Sequence, residues 1–142
     1  MNTIPRITDR AALKRNRTRA HGQFAAFLHD EAIADIQDRL SLVNRDFTKV
    51  TIVTGHSGLW SAAFPDAAII EDQETLELES ESNDLVIHAM ALHWANDPVG
   101  QIIQCRRALK PDGLFLSVAF GGKTLQELRD ALSRAEIETH GG

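Results

Sequence analysis

The chain has 142 residues, of which 43% are hydrophobic and 25% are charged, and its formal net charge is −5. These values are typical of one soluble globular domain with a sizeable core, and the negative charge argues against nucleic acid as a partner. No apolar run reaches the roughly 18 residues of a membrane span, and the single cysteine, Cys105, excludes an internal disulfide. We therefore expect a cytoplasmic protein that does not contact a membrane, with Cys105 as a buried apolar side chain of a helix.

The first twenty residues are basic and poor in acids. Their charged side chains are Arg6, Arg10, Lys14, Arg15, Arg17 and Arg19, against Asp9 alone. We interpret this segment as a solvated basic arm or helix of the mature protein. The alternative is a transit peptide, which would place the protein in mitochondria.

An amphipathic helix is predicted from Gly22 to Val43, before the first strand. Its apolar residues recur at spacings of three and four: Phe24, Phe27, Leu28, Ile33, Ile36, Leu40 and Val43. We expect this helix to cover the sheet or the mouth of a site.

Strands and helices then alternate. Residues 50–54 are β-branched and predict a buried strand, residues 58–64 a short helix, and residues 67–70 a second strand. The acidic stretch 73–83 is predicted to be a loop with at most one helical turn, and residues 85–89 a third strand.

The next helix has clear start signals. Asp97 is a suitable N-cap, with Pro98 at the first helical position. Its apolar face is traced by Val99, Ile102, Ile103, Arg106 and Leu109.

A turn at residues 110–113 leads to an apolar strand at 114–120. Thr124 and Glu127 then form a capping box, which predicts a helix with Leu125, Leu128 and Leu132 facing inward.

This alternation predicts an α/β fold: a Rossmann-like, mostly parallel sheet of about four strands with helices on both faces. We divide the chain into an N-terminal basic arm and helical segment, residues 1–46, and a core, residues 47–142.

Candidate site residues follow the strands. Gly55-His56-Ser57-Gly58 turns a strand into a helix, either as a loop whose backbone approaches a ligand or as a plain turn that needs glycine. The segment is one residue short of the G-x-S-x-G elbow of hydrolases. Glu71-Asp72 ends the next strand, where an acid accepts ribose hydroxyls in dinucleotide folds or simply begins an acidic loop.

His88, His93 and Trp94 follow the third strand at the edge where ligands bind in such folds. His88 is a candidate for the wall of a cofactor site, and His93 and Trp94 for the substrate mouth. The alternative is that Trp94 caps the core with His93 packed beside it. The six histidines lack the spacing of metal ligands, so we expect no metal.

Several segments together resemble the class I S-adenosylmethionine-dependent methyltransferases of the type 11 group. The resemblance is to the branch that holds the biotin-pathway malonyl-carrier-protein methyltransferase and the methyltransferase-like assembly factor of respiratory complex I. Residues 7–15 resemble the "FDR…LKR" opening, 84–87 "FDLV", 92–97 "LHWVND", 109–113 "LKPDG" and 120–129 "FGGDTLYELR". The resemblance implies S-adenosylmethionine as the cofactor, with Gly55, His56, Gly58, Asp72 and His88 as its binding residues.

Two departures from the family pattern stand out. The family's cofactor loop is D-x-G-x-G-x-G. Aligned on its last glycine, this chain has Ile52, Thr54, His56 and Gly58, so the acid and two of the three glycines are missing; aligned on its first glycine, Gly55 matches but Val53 replaces the acid. Gly55 and Asp84 are only 29 positions apart, too few for the two strands and a helix that the family places there. The segment 69–72 resembles the third strand of the family, so the second strand would be missing and Asp72 would lie near the adenine.

The family also continues beyond this chain to its last strands, so we expect an incomplete sheet with an open edge. Either the chain is a fragment, or a protein partner or self-association covers that edge. The function expected from the resemblance is methyl transfer, to a small molecule or a protein that the sequence does not identify and with unknown catalytic residues. The alternative is a non-catalytic assembly or interaction module with a degraded cofactor loop. Nicotinamide binding would need a G-x-G-x-x-G that is absent.

Overall fold

The structure is a computed structural model that describes residues 3 and 5–141. Residues 1, 2, 4 and 142, which the ranges 1–46 and 47–142 include, lie outside the described part. The division into these two ranges stays a prediction.

The described residues form one parallel sheet of four strands in the order β2-β1-β3-β4. The strands are β1 (Val50–Val53), β2 (Ala68–Ile70), β3 (Asn83–Ala89) and β4 (Leu109–Val118). Every residue of β3 is buried, as expected of a central strand with both faces covered. The predicted α/β Rossmann-like fold is confirmed.

Helices lie on both faces of the sheet. Helix α2 (Phe27–Ser41) and helix α3 (Ser57–Ala63) cover one face, where Ile36 and Trp60 pack against Ile52, Leu85 and Ile87. Helix α4 (Pro98–Ala108) covers the other, where Cys105 and Ala108 pack against Val53 and Val86. Because helices cover both faces, the middle of β3, Leu85 to Ile87, is apolar without a polar face.

The turn predicted at residues 110–113 is a bulge inside β4. Asn83 pairs with Leu109, but Leu85 already pairs with Leu114, so β4 advances five residues while β3 advances two. Asp112 takes a left-handed backbone conformation, φ 67°, within the extra residues. The turn chemistry was therefore predicted correctly, but the strand continues through it.

The N-terminal segment differs from the prediction. Helix α1 (Arg10–Ala20) begins after Asp9, whose carboxylate accepts a hydrogen bond from the Ala12 N–H, and α2 begins only at Phe27. The single helix predicted from Gly22 is wrong at its start, because Phe27 and Leu28 are 63% and 42% exposed and do not belong to the buried face. His29, Ala32 and Ile36 form that face.

Asp97 and Pro98 begin α4 as predicted, and the Asp97 carboxylate accepts from the Gly100 N–H at 2.8 Å. The predicted apolar face is wrong: Val99 is 66% and Ile103 45% exposed. The buried face consists of Gln101, Cys105 and Ala108. The spacing of apolar residues does not predict Gln101 on the buried face, because Gln101 is polar.

The last helix, α5 (Gln126–His140), buries no residue of its own. Its predicted start and inner face are both wrong. Leu125 precedes the helix with φ 54°, and the Thr124 hydroxyl bonds to Gly121 instead of capping. Leu125, Leu128 and Leu132 are more than half exposed, since α5 extends away from the four-stranded sheet. No helix within residues 3 and 5–141 has both the length and the apolar character of a membrane span.

Candidate active site

The sheet brings the predicted site residues to one edge. Val53, the last residue of β1, lies opposite Ile70 of β2 and His88 of β3. Because the three strands are parallel, the segments that follow them meet at their carboxyl ends, where ligands bind in doubly wound folds. Gly55 and Asp72 thus leave neighbouring strands beside each other.

Asp72 is the buried acid of this edge, with a side chain only 3% exposed. Its two carboxylate oxygens accept hydrogen bonds from the Nη1 and Nη2 atoms of Arg17 at 2.7 and 2.9 Å. Arg10 adds a hydrogen bond to the backbone carbonyl of Asp72 and lies 3.6 Å from its carboxylate. Two arginines of α1 therefore compensate one buried charge.

Because Gly55 has no side chain, its backbone leaves a space next to Asp72, which we call the Gly55 cradle. A methyl group added at Gly55 would overlap the guanidinium of Arg17, so only glycine lets this planar group lie against the backbone. Gly58 differs, because an added methyl group there would meet nothing, and it lies in the exposed first turn of α3. The structure brings Gly55, but not Gly58, into contact with the charged pair.

His56 packs into an aromatic cluster beside the cradle. Its ring stacks on Phe24 with a centroid distance of 4.2 Å and meets His29 edge-on at 4.6 Å. Burial, with the nearby His29 and Arg17, lowers the pKa of His56 to about 4. His56 is therefore a neutral contact surface at pH 7.

His29 completes this cluster, and no sequence pattern predicts its role. Its Nδ1 accepts a hydrogen bond from the indole N–H of Trp60 at 3.0 Å, which leaves the proton of a neutral ring on Nε2. Burial lowers the pKa of His29.

His88 is completely buried between the sheet and α4. Gln101 donates through Nε2 to the carbonyl of Gln73 at 2.8 Å, so its Oε1 accepts from His88 Nε2 at 2.7 Å. The proton of neutral His88 is thus on Nε2. Its Nδ1 is a buried acceptor without a partner among the described residues. Burial also lowers the pKa of His88, which favours the neutral ring.

His93 and Trp94 lie in a short 3-10 helix, Leu92–Trp94, after a left-handed turn at Met90 with φ 51°. The His93 ring lies 4.7 Å from that of Phe120, and Trp94 is 40% exposed. Burial lowers the pKa of His93. The two residues form a half-open wall at the same end of the sheet, and neither fills the core.

The N-terminal segment is fastened across this edge. The side-chain oxygen of Asn96 accepts from the backbone N–H groups of Ile7 and Thr8, both at 2.8 Å. Arg10 also donates to the carbonyl of Trp94 at 3.5 Å. The interpretation of this segment as solvated is wrong for Arg10 and Arg17. The surplus of arginine over acid in the segment was the one sequence signal for these ion pairs, because their acid, Asp72, lies far along the chain.

The comparison with known families identifies the family of the chain. The profile of the methyltransferase domain family matches residues 34–117, which include β1 to β3, α4 and most of β4. The chain belongs to the methyltransferase domain family. The predicted membership of the class I S-adenosylmethionine-dependent methyltransferases is thereby confirmed.

Curated relatives resemble part of this methyltransferase domain. The mitochondrial arginine-hydroxylase NDUFAF5 of Danio rerio is 41% identical over 78 residues, which are 55% of this chain and 24% of that protein. The protein of the same name from Homo sapiens is 42% identical over 78 residues, with shares of 55% and 23%. Malonyl-[acyl-carrier protein] O-methyltransferase of Laribacter hongkongensis is 38% identical over 74 residues, with shares of 52% and 25%. The chain thus spans about a quarter of the length of these relatives.

The pairing of β2 with β1 determines which position of the sheet Asp72 occupies. In the doubly wound order 3-2-1-4-5-6, the strand beside the first one is the second, whose end holds the ribose acid. In this domain β2 pairs directly with β1, although segment 69–72 resembles the third strand of the family. Asp72 therefore lies beside β1, where a ribose acid is expected.

Three observations test the fit of S-adenosylmethionine to this methyltransferase domain. Gly55 offers a cradle that a Cβ would fill, Asp72 offers two acceptor oxygens, and His88 Nδ1 is an unpartnered acceptor. A ribose diol and amino groups need acceptors of this kind, so the donor and acceptor set fits the cofactor. The space over Gly55 is filled by Arg17 in this conformation.

The cysteine thiol is not a reactive group of this site. Cys105 is buried in α4, where burial raises the pKa of its thiol to about 11, as expected for an inert core side chain. The described residues contain no group of three or more His, Cys, Asp or Glu side chains that could hold a metal ion.

Proposed function

We propose that this domain binds S-adenosylmethionine at the carboxyl ends of β1, β2 and β3 and catalyses methyl transfer. The observation that carries the proposal is the Gly55 cradle beside the buried carboxylate of Asp72. When bound, S-adenosylmethionine supplies an electrophilic methyl group on a sulfonium sulfur. Family membership supports this function over a non-catalytic assembly module.

The chain's own residues have separate roles in this proposal. Asp72 accepts hydrogen bonds from hydroxyl groups, Gly55 lets the ligand approach the backbone, and His88 Nδ1 accepts from an N–H donor. His56 offers an uncharged ring face, because its pKa of about 4 keeps it neutral at pH 7. His93 and Trp94 form the wall toward the methyl acceptor.

The chemical step in this proposal depends on positioning. We assign no general base, since methyl transfer to a suitable nucleophile can proceed by orientation and exclusion of water. The methyl acceptor, a small molecule or a protein, stays open.

Partners and location are further parts of the proposal. A partner or second copy on the open β4 edge stays a prediction, and so does a cytoplasmic location. Relatives named as mitochondrial support the mitochondrial alternative.

Calorimetric titration with S-adenosylmethionine and S-adenosylhomocysteine tests the binding. At about 100 µM protein an interaction of about −5 to −6 kcal/mol should give measurable heat. Asp72→Asn should abolish this heat, whereas Glu71→Gln, the exposed neighbouring acid, should preserve it. Absence of heat with the wild-type chain and with Arg17→Met, which empties the cradle, would reject cofactor binding by this chain.

A second candidate function is the recognition of an arginine side chain of another protein. The guanidinium of Arg17 already lies in the edge, bound by both oxygens of Asp72 and against Gly55. Relatives named arginine-hydroxylase support arginine as a substrate class. Carboxylate and guanidinium match in a bidentate geometry that lysine does not reproduce.

Arg17→Met provides the test of this candidate, because it leaves the guanidinium position free. The variant should bind a short peptide with one central arginine and should not bind the same peptide with lysine. Arginine recognition would be contradicted if the variant bound the two peptides equally well or bound neither of them.

A further inference from the structure

Helix α1 and the residues just before it contact the segments that follow three strands. Asn96 after β3 binds the backbone of Ile7 and Thr8, Asp72 after β2 binds Arg10 and Arg17, and Gly55 after β1 contacts the Arg17 guanidinium. The helix therefore lies across the same edge that is proposed to hold the cofactor.

The attachment of α1 is ionic more than apolar. Leu13 is the only buried residue of the helix, while Arg17 makes the bidentate contact. The Nε atom of Arg17 is enclosed but has no partner among the described residues, so the guanidinium uses only part of its donor capacity. An element with so little buried apolar surface opens at low free energy.

Arg17 and the proposed cofactor need the same groups. The guanidinium uses both carboxylate oxygens of Asp72 and the cradle over Gly55, which are the groups assigned above to the cofactor. Asp72 and Gly55 therefore cannot contact Arg17 and the cofactor at the same time.

We propose that α1 is an intramolecular strap over the cofactor edge, and that Arg17 must leave Asp72 and Gly55 before the cofactor binds. The part that concerns the cofactor rests on the proposed function; the closure by Arg17 does not. Since coupling is reciprocal, opening the strap raises cofactor affinity by the same factor by which the cofactor opens the strap.

Hydrogen exchange of the α1 amides measures the closure without any ligand. Arg17→Met and Asp72→Asn should each accelerate exchange in α1 about tenfold or more, because each removes the same ion pair. Arg15→Met, an exposed arginine of the same helix, is the matched control and should leave the rate unchanged. Unchanged α1 exchange in both Arg17→Met and Asp72→Asn would overturn the strap.

Calorimetry with S-adenosylhomocysteine measures the coupling. Arg17→Met should bind it about 5- to 150-fold more tightly than wild type, the usual range of allosteric coupling, while Arg15→Met should match wild type. Weaker binding by Arg17→Met would overturn the proposal and make Arg17 a ligand contact. If no variant binds but α1 exchange responds as expected, the closure stands and cofactor binding alone fails.

Discussion

Arg17 and Asp72 form a bidentate ion pair, at 2.7 and 2.9 Å, between residues 55 positions apart in the chain. The Asp72 side chain is 3% exposed and that of Arg17 is 20% exposed. The pair joins a basic N-terminal helix to the end of the strand next to β1, and it determines several measurable properties of the molecule.

The first prediction concerns stability. Arg17→Met should lower the free energy of unfolding by about 1–2 kcal/mol, because the ion pair is lost but opening of α1 lets water reach the Asp72 carboxylate and limits the loss. The double variant Arg17→Met with Asp72→Asn should recover part of this loss, as measured by urea unfolding. Additive losses would show that the two side chains are not coupled.

The second prediction concerns pH. The folded-state pKa of His56 is lowered from 6.5 to about 4, so the unfolded chain binds more protons in this window. Stability should therefore be fully present above pH 6.5 and should decrease as the pH falls from 6.5 toward 4. Unfolding midpoints across this range measure the effect; His56→Phe should reduce the slope, and an unchanged slope would assign the effect to other groups.

The third prediction concerns Asp84, which fastens the start of β1 to β3. Its oxygens accept from the backbone N–H groups of Thr48 and Lys49 at 2.8 and 2.9 Å. Although burial opposes the charge, these hydrogen bonds lower the pKa of Asp84. Asp84→Asn should cost about 2 kcal/mol, since an amide NH₂ would face an N–H donor. Thermal unfolding measures this, and Asp46→Asn, an exposed acid before the strand, is the control.

The fourth prediction concerns α5. Because this helix buries no residue, removing residues 122–142 should change the free energy of unfolding by less than about 1 kcal/mol. Ile36→Ala in the core, by comparison, should cost about 2–5 kcal/mol. A large loss of stability on removing α5 would mean that its leucines are covered in solution.

Local chemistry made much of the fold predictable from sequence. Val50–Val53 is β-branched and ends before glycine, and Asp97 with Pro98 marks a helix start, so both elements were found within a residue or two. The inner faces of α4 and α5 were not predictable, because apolar periodicity shows which residues share a face but not whether a sheet lies beneath them. Gln101 is buried and Ile103 is exposed for that reason.

Only the site residues at the ends of strands could be predicted from the sequence. Gly55, Asp72 and His88 follow strand ends, and parallel pairing brings them together. Arg17 and Asn96 were not found, because their partners are 55 and 88 or more residues away and no local pattern encodes such a contact. Long-range ion pairs depend on topology, which a single sequence indicates only coarsely.

The direct pairing of β2 with β1 has a consequence for which residues meet at the edge of the sheet. A parallel ladder requires only backbone groups in register, so any extended segment that pairs with β1 brings the residues that follow it to the same edge. An acid that follows such a strand then ends beside the first strand of the sheet, as Asp72 ends beside β1. Which acid lies at this edge is therefore decided by strand pairing and cannot be read from the order of the residues along the chain.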